Sequence, residues 1–281
     1  MLIVDSHAHV FSPNEKKYKP IRKPSRPPEG TGTFEHLQRE MSAAGVKAVC
    51  AVQVSGFYGF DNSYVVDLAD QNRSNLAGIV TLDPNRAETP RRLMGMMKST
   101  WVRGLRSVPT KNGRINEPSV RALWAAARDA GLTVNLQIGY ELADDAARLI
   151  EDFPDLMIAL DHSLKLESGE RVRDTLSGLS LLSRYDNVHA KLSNIANGPE
   201  GCADGYPCKS FHSAIMAVIK MFGPSRCAWG SHFPLERYSP KLSYAEALRI
   251  YTEELPLSSS ARADILGGTA NRLWFGGRLS E

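Results

Sequence analysis

The chain has 281 residues, of which 42% are hydrophobic and 23% charged, with a formal net charge of +3. That length suits one α/β barrel or two smaller domains, and the composition is that of a globular protein. The small charge speaks against a nucleic-acid partner. No apolar stretch reaches the roughly 18 residues that a membrane span needs, and no basic and apolar leader opens the chain, so a cytoplasmic protein is expected. The four cysteines, Cys50, Cys202, Cys208 and Cys227, match neither a zinc ribbon nor a dense disulfide framework. Cys202 and Cys208 share one Gly-rich loop but are expected as reduced thiols.

Eight short apolar or β-branched runs follow one another, at residues 2–5, 48–54, 76–82, 102–106, 133–138, 157–161, 188–192 and 226–230. The segments between them read as helices. Residues 117–130 are the clearest, with Val120, Leu123, Trp124, Ala127 and Ala130 on one face and Gly131 as the stop. Residues 61–72, 87–98, 142–152 and 169–185 are weaker versions. Strands alternating with helices favour parallel pairing through right-handed crossovers, and eight such units predict a single-domain (β/α)8 TIM barrel over residues 1–281. A doubly wound open sheet is the alternative. It would usually carry a Gly-rich phosphate turn after the first strand, where this chain has His7-Ala8-His9. Residues 12–33, broken by Pro20, Pro24, Pro27 and Pro28, and residues 194–209, rich in Gly and Asn, read as loops. Both follow strands, so in a barrel both lie over the face that carries the site, as walls or lids.

Alternate side chains of a strand share a face, so His7 and His9 point the same way. Two such imidazoles can hold one metal ion or flank one reacting group. His162 and His232 close the sixth and eighth runs, where a barrel places its chemistry. On the seventh strand His189, Lys191 and Ser193 share parity; Lys191 is expected to face the interior, and His189 to be a packed core residue nearer the floor. Arg103 and Arg106 have opposite parity on the fourth, and Arg106, nearer the C-terminal end, is the better carboxylate clamp. Ser55, Tyr58 and Asn62 beyond the second run are placed to reach a polar ligand, although Asp61-Asn62 is also a good N-cap. His36 and His212 are expected on the surface.

Asp5-Ser6-His7-Ala8-His9, residues 53–62 with their Gly59-Phe60-Asp61-Asn62, and Val102-Arg103-Gly104-Leu105-Arg106 together resemble the amidohydrolase superfamily. So do Leu160-Asp161-His162, Lys191-Leu192-Ser193, Trp229-Gly230-Ser231-His232-Phe233-Pro234 and the closing Thr269-Ala270-Asn271-Arg272-Leu273-Trp274-Phe275. The resemblance spans nearly the whole chain. It is specific to the amidohydrolase-related branch of lactone hydrolases, the 2-pyrone-4,6-dicarboxylate and sugar lactonases, and leaves the substrate open.

The resemblance implies that His7, His9 and His162 match the family's histidines and would ligate one divalent ion, zinc, if a metal is present, with His232 as a candidate fourth ligand. In the family the eighth strand reads Gly-Ser-Asp, and that Asp activates water; here His232 stands in its place. Losing the only anionic ligand lowers metal affinity, and some pyrone lactonases of the branch look metal-independent, so the expectation leans towards a metal-free site. A binuclear site is not expected, since strand four offers Arg106 where a carbamylated lysine would stand. The implied activity is hydrolysis of a lactone or related cyclic ester bearing a carboxylate. His232 would deprotonate water, while His7, His9 and His162 polarise the carbonyl. Arg106 would clamp the carboxylate, helped by Lys191, Tyr58 and Ser55, with Asn62 nearby. Two alternatives stand beside it: a zinc-dependent decarboxylase of an unsaturated or aromatic acid, and a barrel that binds an anionic metabolite without turnover. A small anionic substrate is the partner implied, and a homo-oligomer is compatible with the sequence.

Overall fold

The computed structural model describes residues 1–98, 100–166, 171–193, 202 and 204–280. Eight strands are present: β1 (Val4–Ala8), β2 (Ala48–Val52), β3 (Leu76–Thr81), β4 (Val102–Ser107), β5 (Thr133–Leu136), β6 (Ile158–Leu160), β7 (Val188–Leu192) and β8 (Cys227–Trp229). Each pairs in parallel with the next in chain order. Just past β8 the chain turns onto β1: His232 N donates to His7 O at 2.8 Å, and His9 N donates to Phe233 O at 2.8 Å. A parallel bridge between Ala8 and Phe233 completes the ring as a (β/α)8 barrel. Gly230 permits this approach, because a Cβ there would lie 2.9 Å from the His7 Cβ.

The helices α1 (Phe34–Ala44), α2 (Ser63–Gln71), α3 (Thr89–Met97), α4 (Pro118–Asp129), α5 (Ala143–Ile150), α6 (Val172–Leu182) and α7 (Lys209–Phe222) follow successive strands, and α8 (Tyr244–Arg249) and α9 (Thr269–Phe275) follow β8. In α4, Pro118 sits in the first turn, where its missing N–H costs nothing. Val120, Leu123, Trp124 and Ala127 are buried against the strands. Gly131 then takes φ 66°, a left-handed conformation open to glycine.

Two apolar layers result. One lies between strands and helices. The other fills the barrel, where small residues on the strands, Ala48, Cys50, Ala77, Ala159 and Ala228, leave room for Trp274 and Phe275 of α9 to plug the floor. The Trp274 indole N–H donates to Asn135 Oδ1 at 3.2 Å, so the plug ends in a polar contact.

Several expectations need correction. β1 starts and ends later than the apolar run at 2–5, because backbone pairing continues into the buried Asp5-Ser6-His7, where the Asp5 and His7 side chains find partners inside the ring. His36 is buried rather than on the surface. It accepts from Gly32 N at 3.2 Å and faces Glu40 and Glu236 at 3.7 Å each, holding the end of the 12–33 loop. Cys202 and Cys208 form a disulfide rather than free thiols. The turn that Gly205 makes, accepting from Cys208 N at 2.7 Å and donating to Cys202 O at 2.8 Å, brings them together. Most of the 194–209 loop, namely 194–201 and 203, lies outside the described residues. Among the described residues no helix is long and apolar enough to cross a membrane.

Asp5 clasps the closure. Its Oδ1 accepts from His7 N at 3.0 Å and Ser231 N at 2.9 Å, and its Oδ2 from Ser231 Oγ at 2.6 Å and Tyr244 Oη at 3.0 Å. Asp5→Ala strands buried donors and is expected to lower stability by about 3 kcal/mol, whereas Tyr244→Phe removes one bond and costs about 1 kcal/mol. Urea unfolding midpoints measure both; equal, small losses would show that the clasp does not hold the seam.

Candidate active site

The carboxyl end of the barrel is built in two polar tiers. The lower tier centres on Asp161, the residue after β6, fully buried with Lys191, His7 and Asn135, and is bordered by Arg106, which also reaches the cavity above. Lys191 Nζ of β7 lies 3.0 Å from Asp161 Oδ1 and 2.9 Å from His7 Nδ1. Arg106 Nε of β4 stands 3.5 Å from Asp161 Oδ2, and Asn135 Nδ2 of β5 stands 3.4 Å from Oδ1. Burial alone would raise the Asp161 pKa; Lys191, His7 and Arg106 outweigh it and hold the carboxyl well below its usual range.

The upper tier is imidazole. His9 Nδ1 donates to Val52 O at 2.8 Å, and its Nε2 lies 3.4 Å from His7 Nε2. His162 Nδ1 meets Ser193 Oγ at 2.9 Å. The His162 and His232 ring centres are 4.5 Å apart, and each lies near His7, at 4.4 and 5.3 Å. Tyr238 stacks on His232 at 4.1 Å between ring centres with 25° between planes.

The turn that presents His162 is left-handed. His162, Ser163, Leu164 and Lys165 take φ of 55°, 46°, 57° and 60°. L-residues adopt αL at roughly 1–2 kcal/mol each. Here the surroundings hold it: Ser163 Oγ donates to Lys191 O at 3.0 Å, Leu164 is buried, and Leu166 N donates to His162 O at 2.9 Å. The turn directs both His162 and Lys165 to one cavity.

That cavity, about 320 Å³, is lined by His9, His162, His232 and Tyr238, by the cations Arg106, Lys165 and Arg237, and by Ser25, Val54, Ser55, Gly56 and Gln137. No carboxylate lines it among the described residues. Arg237 also donates to Arg26 O and Ser25 Oγ, so the 12–33 loop forms a wall. Burial lowers His9 and His162 to about 3, and the Arg106 charge works in the same direction. Burial drives His7 and His232 well below the imidazole range, aided by Lys191 at His7 and by the other three imidazoles at His232. All four rings are therefore neutral at pH 7.

Of the residues named from sequence, His7, His9, His162 and His232 meet in one cluster, and Arg106 and Ser55 reach the cavity wall. Lys191 faces the interior but lies one tier below the cavity. Tyr58 and Asn62 are turned away from it. Tyr58 Oη accepts from Ser12 N at 2.8 Å, and Asn62 holds Thr81 through bonds of 2.8 and 2.9 Å, so both serve loop structure. Arg103 turns outward onto Trp101, and His189 is half-buried, 3.3 Å from Asn187 O. Asp161, Lys165, Arg237 and Tyr238 were not singled out. Only Asp161 left a signal, its place beside His162 at a strand end.

The rings with metal-ligand spacing are His7, His162 and His232, whose nitrogens lie within 4.8 Å of one another, and His9 is not among them. The family resemblance groups His9 with His7 and His162 as ligands, but the His9 bond to the Val52 carbonyl and its approach to His7 engage both of its nitrogens. His7 Nδ1 in turn receives the Lys191 ammonium, so the hydrogen-bonded set as it stands does not present three lone pairs to a cation.

A closed ring of eight parallel strands with neutral imidazoles and cations at its carboxyl mouth is the architecture of a barrel enzyme. The profile of the Amidohydrolase family matches residues 4–276, and the chain belongs to this family of hydrolases. It is 24% identical over 254 residues to the L-fucono-1,5-lactonase of Burkholderia ambifaria, covering 84% of this chain and 82% of that protein. An amidohydrolase from Burkholderia multivorans with bound HEPES shares the fold at a TM-score of 0.80 and 20% identity, over 98% of this chain and 99% of that one; another crystal form holds zinc. A Pseudomonas putida protein, provisionally described as a 2-pyrone-4,6-dicarboxylic acid hydrolase, does so at 0.78 and 24%, over 99% of each chain.

The depressed imidazoles tie stability to pH. Unfolding returns His9 and His162 from about 3 to the ordinary 6.5, so the unfolded chain binds more protons below that value. Stability is complete above pH 6.5 and falls as the pH drops towards 3, at about 1.4 kcal/mol per pH unit for each ring. Urea midpoints taken at pH 7.5 and 5 test this; a flat profile would mean that the rings are solvated.

Proposed function

We propose that the chain opens a lactone or related cyclic ester that carries at least one carboxylate, by metal-free attack of water. The observation that carries this reading is the cavity itself: three neutral imidazoles and three cations around one small volume, with no carboxylate on the wall among the described residues. Such a site attracts an anion and stabilises one that forms inside it. The lactonase relative supports the reaction class.

Arg106, Lys165 and Arg237 receive the substrate carboxylate, and the carbonyl carbon comes to rest below His232. His232 accepts a proton as the water oxygen bonds to that carbon. A buried imidazole ringed by cations is a weak base, but the proton it gains appears together with the negative charge on the carbonyl oxygen. The pair of charges is cheaper here than either alone. His162, with Ser193 donating to Nδ1, offers Nε2–H to that oxygen, beside the Arg106 guanidinium. Collapse breaks the carbon–ring oxygen bond, and the His232 proton passes to the leaving alkoxide, giving a hydroxy acid.

A panel of carboxylated pyrones and sugar lactones, followed by acid release, tests the reading. His232→Ala is expected to lower kcat/KM by about 10²–10⁴. His232→Asp, which restores the family's carboxylate, is expected to change turnover; if it leaves every substrate unaltered, the base role is wrong. Lys165→Met is expected to raise KM about tenfold with little change in kcat, the mark of lost ground-state binding. Carbon dioxide in place of a ring-opened acid would instead mark a decarboxylase, and tight anion binding with no turnover at any pH a binding protein.

A further inference from the structure

Lys191 takes no part in that reaction, yet it is a fully buried cation directly beneath the reactive tier. An ammonium has only donors. Its 2.9 Å contact with His7 Nδ1 therefore requires a lone pair on that nitrogen, and a neutral ring with a bare Nδ1 carries its proton on Nε2. The competing bond, His7 Nδ1–H to Asp161 Oδ1, would span 3.4 Å and set an N–H against the ammonium. The next partner agrees. The Val52 carbonyl only accepts, so His9 is protonated on Nδ1 and keeps its lone pair on Nε2, which faces His7 Nε2 at 3.4 Å. Donation runs one way, from Lys191 through His7 and His9 to Val52.

We propose that Lys191 is a positioning residue that locks His7 in the Nε2–H tautomer, withholding this ring from a metal-ligand set and aiming His9 at the cavity wall. The 4.8 Å grouping of His7, His162 and His232 is otherwise suited to a cation. Without the ammonium, His7 Nδ1–H is released to Asp161 Oδ1, the carboxylate-backed arrangement of a ligating histidine, and its Nε2 lone pair becomes available. One lysine thus separates a hydrogen-bonded imidazole cluster from a zinc site built of the same three rings.

Long-range proton–nitrogen spectra of histidine-labelled protein read the tautomer directly, with the His7 signal identified by its loss in His7→Gln. The wild type is expected to show His7 protonated on Nε2, and Lys191→Met to show it on Nδ1. Titration with zinc chloride is expected to give a zinc affinity about ten- to a hundredfold higher in Lys191→Met, the range over which outer partners of ligating histidines act. His7 protonated on Nδ1 in the wild type overturns the proposal, and so does equal zinc affinity in the two folded proteins. Should Lys191→Met not fold, the wild-type spectrum decides alone. Neither readout needs turnover, so the result stands whether or not the lactone reading does.

Discussion

The buried pair of Asp161 and Lys191 is the constraint on which the mouth of the barrel depends. A lone charge in the interior is prohibitively unfavourable, and a pair is tolerated only when its remaining donors and acceptors are met. Here several strands address it: Arg106 from β4, Asn135 from β5 and His7 from β1 stand against the carboxylate or the ammonium, while Asp161 Oδ2 and Arg106 Nε face each other at 3.5 Å without a hydrogen bond. Asn135 is anchored from below by the Trp274 indole, and the Lys191 ammonium sits 5.2 Å from that ring. The apolar plug of α9, the ionic tier and the imidazole tier are thus stacked and coupled. A side chain in the upper tier keeps its orientation because the tier beneath has no freedom to rearrange.

Much of this was legible in the sequence, and what was legible follows from burial. The run at 188–192 coincides with β7, buried except at the half-buried His189, because an apolar run records burial; the ending at 269–275 was legible from the family resemblance, and it forms α9, buried at Thr269, Ala270, Trp274 and Phe275. Strand ends also located the four histidines, since parallel strands of a barrel deliver their last residues to one mouth. β1 was placed too early for the same reason: its second half is polar and pairs nonetheless, with Asp5 held by Ser231 and Tyr244 and His7 by Lys191 rather than by water.

The residues not foreseen are those whose place depends on backbone conformation rather than on period. Lys165 reaches the cavity only because four consecutive residues adopt the left-handed region, which no pattern of side chains announces. Tyr238 and Arg237 arrive through the turn that follows His232, itself at φ 60°. Tyr58 and Asn62 erred in the other direction. Polar residues after a strand are equally suited to a ligand and to the loop's own backbone, and here the amides and carbonyls of the loops claimed them.

The histidine at position 232 takes its meaning from this arrangement. A carboxylate there would stand among Arg106, Lys165 and Arg237 and neutralise part of their charge within the protein. An imidazole with its pKa driven down does not. The one carboxylate of the cluster, Asp161, is held a tier lower and already shared between Lys191, Arg106 and His7. On the proposed reading, a wall without a negative group among the described residues leaves a positive potential in the cavity that an anionic ligand or a developing oxyanion would satisfy. On that reading the imidazole that would make the site a poorer home for a divalent cation would make it a better one for an anion, and both effects would come from one difference of charge at one wall position.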